Sequence, residues 1–179
     1  SGGLANRFQT SVISLLGEGA YGARLRQLGV SVHSLDMTTS VLGLRQVLRL
    51  REIVRDTGPD LIQGWMYHGN LAACIARLVS PRRPALAWNV RHSLYDLAHE
   101  RLMTQVIIRI ARPLSRRANA IIYNSRVSRG QHELFGFERG NGMVIPNGFD
   151  TDEFRPDEGI RAAVRRELGI PKKATVIGH

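Results

Sequence analysis

The chain has 179 residues, of which 43% are hydrophobic, and a formal net charge of +10. That size suits one α/β domain, and that apolar fraction suits a folded core rather than disorder. No run reaches the roughly 18 apolar residues of a membrane span, the polar, glycine-rich start does not read as a signal peptide, and the lone Cys74 excludes an internal disulfide framework and fits a reducing compartment.

Gly2-Gly3 lies too close to the next strand for an ordinary helix to intervene. An ordinary first strand–loop–helix unit is therefore expected to be missing, with a strand edge left exposed. Ser11 to Leu16 reads as a buried strand, and 20–28 as a short helix stopped by Gly29. Residues 30–35 alternate apolar and polar as a strand does. Residues 41–54 repeat leucine and valine at helical spacing, until Gly58-Pro59 breaks the pattern. A strand over 60–64 leads into the loop 65–70 and a helix over 70–79, stopped by Ser80-Pro81. Then come a strand at 85–88, a long helix at 95–112 ending before Pro113, a strand at 118–123, a helix at 126–135 ending at Gly136, and a strand at 143–145. Asn147-Gly148 is a turn signal, and Gly148 is expected to take a conformation costly for other residues. A helix over 158–168 and a new apolar run, 174–178, follow.

Strands alternating with helices predict an α/β fold: a Rossmann-like, doubly wound, mostly parallel sheet covered on both faces. The reading places one domain over 1–156. It assigns 157–179 to a crossover helix and the first strand of a second domain, so the chain reads as truncated at both ends.

Ligands of such sheets bind beyond the carboxyl ends of the strands. That rule ranks 65–70, 89–93, 124–125 and 147–150. His68 and Asn70 stand at the start of a helix, where backbone N–H groups favour a negative ligand group; His68 packed against Trp65 or Tyr67 is the structural alternative. Arg91 can grip a carboxylate or phosphate with paired bonds, unless Asp96 holds it as a structural pair. Asn124 and Ser125 end a strand and open a helix, so either is a natural N-cap as well as a site candidate. His132, two turns on, either points to the same cleft or fills the interface with the sheet. Asn147 and Gly148 complete the candidates. No metal-ligand spacing, nucleophile elbow, phosphate-binding P-loop or paired carboxylates emerge, so neither metal, cofactor nor catalytic residue is assigned.

The positive charge is almost all arginine, with Lys172 and Lys173 the only lysines. It reads as compositional bias, as a surface for anionic substrates or anionic lipid, or, on charge alone, as nucleic-acid binding, for which no motif is present. Residues 101–117 mix five arginines with apolar residues. They form either a sheet-packing helix with a basic outer face or a lipid-touching one.

The strand-end Asn124-Ser125, then His132 and Gly136, then Val144-Ile145-Pro146-Asn147-Gly148-Phe149-Asp150 with Phe154 and Pro156, resemble the N-terminal domain of family 4 glycosyltransferases, which have the two-domain GT-B fold. Gly2-Gly3-Leu4-Ala5 echoes the family's glycine-rich start. Pro59-Asp60 and Trp65-Met66-Tyr67-His68 are similar to a branch acting on lipid-linked or cell-surface saccharides. The resemblance implies a retaining enzyme that moves a sugar from a nucleotide-sugar donor to a saccharide or lipid-linked acceptor. It makes this chain the acceptor side of the cleft, with Gly2 and Gly3 near the donor phosphates and His68 near the sugar or acceptor. The second domain of such enzymes binds most of the donor and carries a pair of glutamates, so the chain alone is expected to be inactive. A cytoplasmic location, contact with an anionic membrane face and dimer formation are further expectations; nucleic acid is not an expected partner. The alternatives are a non-catalytic module binding a saccharide or anionic ligand, and a GT-B nucleotide-sugar epimerase, against which the Asn147 to Asp150 segment argues.

Overall fold

The computed structural model describes residues 8–38 and 42–177. Gly2 and Gly3 lie outside them. Two compact units are present, one up to Pro146 and one from Asn147.

In the first unit the elements run β1 (Ser11–Ser14), α1 (Gly22–Gln27), β2 (Ser31–Ser34), α2 (Leu44–Thr57), β3 (Leu61–Trp65), α3 (Met66–Val79), β4 (Ala85–Val90), α4 (Leu102–Leu114), β5 (Ala120–Tyr123), α5 (Arg126–Phe135) and β6 (Gly142–Val144). Every strand pairing among the described residues is parallel: β1 with β2, and a four-stranded sheet in the order β3-β4-β5-β6. Parallel strands need helical crossovers, which cover the sheet and bury its central strands. β4 shows this: Leu86, Trp88 and Val90 are wholly buried, and Asn89 nearly so. Its side chains join Ile121 and Tyr123 of β5, Ile107, Ile108 and Ala111 of α4, Tyr67 and Ala73 of α3, and Phe137 in one core. A second cluster joins Leu35 and Met37, just after β2, to Leu50, Ile53 and Val54 of α2 and Ala76 of α3. The sheet is therefore parallel α/β, as the alternating pattern predicts.

Three of the boundaries that differ from the sequence reading have a clear physical reason. The expected loop 65–70 is helical from Met66. The chain turns within one residue, because Met66 takes a left-handed φ of 59°. Gly64 permits the close return: a Cβ there would lie 2.6 Å from the Asn70 Cα. The expected helix over 95–112 begins only at Leu102. Before it, Asp96 accepts the Ala98 N–H at 2.8 Å to close a 3₁₀ turn over Leu97–His99, and Gln105 Nε2 donates to the Glu100 carbonyl. These local bonds compete with a helical start. At its other end α4 runs past Pro113 to Leu114. A proline in the last turn forfeits one bond without ending the helix there.

α4 also settles which residues face outward. Ile107, Ile108 and Ala111 pack inward. Leu102 at 79% and Val106 and Ile110 at just under half exposure lie with Arg109 and Arg112 on the solvent side. The outer face is thus mixed apolar and basic. No described helix is long and apolar enough to cross a membrane.

In the second unit Asp150 accepts the N–H groups of Asp152 and Glu153 and so caps a turn, within which Phe149 packs edge-on against Phe154. α6 (Glu158–Glu167) follows, with Asp157 as its N-cap. Of the apolar run 174–178 expected as a strand, the described residues 174–177 form none. Gly148 does not need to be glycine on conformational grounds. Its φ is ordinary, and a Cβ would meet open space.

Candidate functional site

Five of the expected residues, His68, Asn70, Arg91, Asn124 and Ser125, follow the carboxyl ends of β3, β4 and β5. Arg91 follows β4. Its Nε donates to Asn89 Oδ1 at 2.6 Å, and its Nη1 to the Ile145 carbonyl at 3.3 Å. Its guanidinium also lies 5.4 Å from the centre of the Trp65 ring, and that indole is 57% exposed. A cation over an indole is attracted by the ring's negative face. The edge thus presents a flat aromatic surface beside a positioned positive charge.

His68 is the third residue of α3 and half-buried. At that position it sits in the turn whose N–H groups lack helical partners. Asn70 is different. It is wholly buried, and its Oδ1 accepts the Asn89 N–H at 3.4 Å, tying α3 to β4. It was expected as a binding residue; here it holds the sharp turn and faces no solvent. Ser125 is the N-cap of α5, accepting the Ser128 N–H at 3.0 Å. Capping is therefore its observed role. Asn124 is half-buried, and its Oδ1 has no hydrogen-bond partner among the described residues. Asn147 and Gly148 belong to the other unit.

Behind this edge runs a network of buried groups. Tyr67 Oη and His132 Nε2 are 2.8 Å apart, and His132 Nδ1 lies 2.7 Å from the Ser128 carbonyl. A carbonyl only accepts, so Nδ1 carries the proton and Tyr67 donates to Nε2. Burial pushes the His132 pKa down, outweighing the opposite pull of the Ser128 bond, so this neutral form is favoured. Burial also raises the Tyr67 phenol, keeping its proton in place. Ser128 Oγ donates to the His92 carbonyl at 2.6 Å. His92 Nε2 in turn meets Glu100 Oε1 at 2.7 Å. So α5 fastens the turn after β3 to the loop after β4. Of the two readings open for His132, packing at the sheet interface is the observed one.

Trp65 and Asn89 fall inside the ranked segments 65–70 and 89–93 but are not among the residues singled out there. The signal for Trp65 was available: an aromatic at the last position of a strand that feeds the cleft edge. Asn89 and Arg91, two residues apart, share one side of an extended chain, so their pairing was open to a sequence reading too. Among the described residues no group of three or more His, Cys, Asp or Glu side chains is placed to hold a metal ion.

A parallel α/β unit with aromatic, basic and imidazole groups at its strand ends has the character of a Rossmann-like half-site. Its fold is that of the N-terminal domain of GT-B proteins. Three crystal structures of Anabaena HepE are similar over most of this chain. The complex with UDP and glucose matches with a TM-score of 0.70 and 23% identity over 89% of this chain and 42% of that one. The complex with UDP matches at 0.67 and 23% over 93% and 44%, and that with UDP-glucose at 0.66 and 23% over 89% and 42%. This chain thus spans less than half the length of those proteins. Residues 1–153 match the model of Glycosyltransferase Family 4, and the chain belongs to that family. Comparison with curated protein sequences gave no match.

Proposed function

We propose that this chain forms the acceptor-side wall of the cleft in a retaining glycosyltransferase, which moves a sugar from a nucleotide-sugar to a saccharide or lipid-linked acceptor. Family membership supports the reaction class. The likeness to HepE, crystallised with UDP and with UDP-glucose, supports a nucleotide-sugar donor. The observation that carries the acceptor role is the pairing of exposed Trp65 with Arg91 at the strand ends.

An indole face suits the apolar face of a sugar ring. Bonds to Asn89 Oδ1 and the Ile145 carbonyl help fix the Arg91 guanidinium beside the indole, and a guanidinium suits a phosphate or carboxylate on the acceptor. His68, in the first turn of α3, offers a hydrogen bond near the transferred sugar. The buried Tyr67–His132 link keeps that turn in register with the loop carrying Arg91. Transfer itself needs a second domain to close over donor and acceptor, excluding water and fixing their approach.

The test is turnover by the full-length protein with its nucleotide-sugar and acceptor, the product's anomeric configuration being read by NMR. Trp65→Ala and Arg91→Ala are each expected to lower kcat/KM by about tenfold or more through loss of one stacking or charge-assisted contact, mainly in the acceptor KM. Unchanged acceptor kinetics in both variants would remove the acceptor role, and an inverted product would remove retention. The 179-residue chain alone is expected to show negligible turnover. If the full-length protein binds saccharide without turnover, the non-catalytic module is the better reading.

A further inference from the structure

At the opposite edge of the sheet, the amino end of β4, an open cavity of about 360 Å³ is lined by Cys74, Arg77, Leu78, Arg83, Leu86 and Arg117. Three of the six lining residues are arginines and none is acidic. Arg77 Nη1 donates to the Arg117 carbonyl at 2.7 Å, a neutral partner. Among the described residues, the guanidinium groups of Arg83 and Arg117 make no hydrogen bond and no ion pair. The neighbouring Arg116 reaches Glu138 only at 3.9 Å.

Arginines gather at helix C-termini because cations suit the negative end of the helix dipole. That accounts for Arg77, in the last turn of α3, and for Arg117, after α4. It does not account for Arg83. Arg83 lies beyond α3 and is held at a φ of 48°, a left-handed conformation that disfavours every residue with a Cβ. Three like charges around one cavity repel one another, and a multivalent anion relieves that repulsion.

We propose that this cavity is a binding site for a phosphate group, gripped by Arg77, Arg83 and Arg117 and separate from the cleft at the other edge. Guanidinium forks match phosphate oxygens in geometry as well as charge. Leu78, 69% exposed, stands at the cavity, so a phosphate that carries an apolar tail also fits. The shared chemistry is the phosphate; its source is either a free phosphate compound or a phospholipid headgroup.

Two double variants of the chain separate a built site from overall charge. Arg83→Ser with Arg117→Ser removes the site, while Arg45→Ser with Arg51→Ser, on the exposed side of α2, removes equal charge elsewhere. Melting curves confirm that both fold. Each is titrated with inorganic pyrophosphate by calorimetry and with vesicles of phosphatidylglycerol or phosphatidylcholine by co-sedimentation. The expected result is saturable binding that falls about tenfold or more in the first variant, the loss of roughly one charge-assisted contact pair, and stays near wild type in the second. Loss in the pyrophosphate arm identifies a free phosphate ligand. Loss only with phosphatidylglycerol vesicles identifies a lipid headgroup. No binding in either arm, or an equal fall in both variants, overturns the proposal.

Discussion

At the carboxyl ends of the strands, side chains are tied to one another. Asn70 holds Asn89, Asn89 holds Arg91, Ser125 holds Ser128, Ser128 holds His92, and Tyr67 meets His132. At the amino end of β4, Arg83 and Arg117 are held by no such bonds among the described residues, and line an open cavity with Arg77. The same parallel sheet thus carries one edge knitted by side-chain hydrogen bonds, although Asn70 Nδ2, Tyr123 Oη and Asn124 Oδ1 have no partner among the described residues, and another lined by arginines. The contrast fits what each edge is proposed to do. A set of loops that presents an indole and a guanidinium in fixed geometry needs hydrogen bonds from behind, because a loop held by one bond moves. A cluster of arginines needs only to be near an anion, since Coulomb attraction tolerates imprecision better than a hydrogen bond does.

The most severe way to break the first edge is at Gly64. A Cβ there would meet Asn70 Cα at 2.6 Å and Asn70 N at 2.8 Å, and backbone cannot swing aside as a side-chain tip can. Gly64→Ala is expected to cost about 2–3 kcal/mol, the upper part of the overpacking range. For a chain of this size that is a fall of about 5–10 °C in Tm, measured by thermal denaturation. An unchanged Tm would mean that the turn into α3 is not rigidly set.

The next effect tests the link between loops. His132 is wholly buried among Tyr67, Tyr123 and Phe137, with ring centres 5.1 to 5.8 Å away. His132→Phe keeps the aromatic packing but strands the Tyr67 hydroxyl, so it should cost about 1–3 kcal/mol. Adding Tyr67→Phe removes the stranded group and should recover part of that loss. Chemical denaturation of the four species gives the coupling. Strict additivity would show that the 2.8 Å contact carries no energy of its own.

These two predictions touch residues of unequal legibility. The strands at 61–65, 85–90 and 120–123 could be read from apolar runs, and the cap at Ser125 and the stop at Gly136 from residue type. The helical start at Met66 could not be read, because nothing in a methionine announces a left-handed backbone. It follows from a contact between Gly64 and Asn70 that exists only once the chain has folded back. Likewise Arg77, Arg83 and Arg117 are spread over forty positions and look like compositional bias in one dimension. They meet because helices between parallel strands return the chain to the same sheet edge. Arg91 and Trp65 were each legible at a strand end, but their pairing was not, since one ends β3 and the other follows β4.

Acidity should loosen the first edge. The folded His132 pKa lies below the ordinary imidazole value because the charged ring would be buried. Below about pH 6.5 the unfolded chain takes up a proton that the folded chain still refuses. Stability therefore falls as pH drops from there through the lower folded value, and is unaffected by this group at higher pH. The phenols of Tyr67 and Tyr123 give the mirror image. Burial raises both, so their contribution is complete below the ordinary phenol value of about 10 and is lost as pH climbs beyond it. Denaturant midpoints across pH should thus show a plateau with two falling sides. His132→Phe should flatten the acid side by the share that this histidine contributes; an unaltered acid slope would assign it to other groups.

The smallest effect is expected at the second edge, from a substitution that is the reverse of the first. Arg83→Gly removes a Cβ from a left-handed position, a relief of about 1 kcal/mol. It also frees the unfolded chain, which costs about 0.5–1 kcal/mol. The two nearly cancel, and the guanidinium has no bond to lose, so stability should stay within about 0.5 kcal/mol of wild type, as for surface substitutions generally. Gly64→Ala and Arg83→Gly both exchange a glycine and a side chain at a turn of the same sheet. One side chain is refused by the backbone beside it. The other is carried in a strained conformation with no bond to the fold, so whatever favours its presence must act through what its guanidinium meets. A drop of 2 kcal/mol or so on Arg83→Gly, on the scale of a buried hydrogen-bond loss, would give Arg83 a structural role instead and erase the contrast between the two edges.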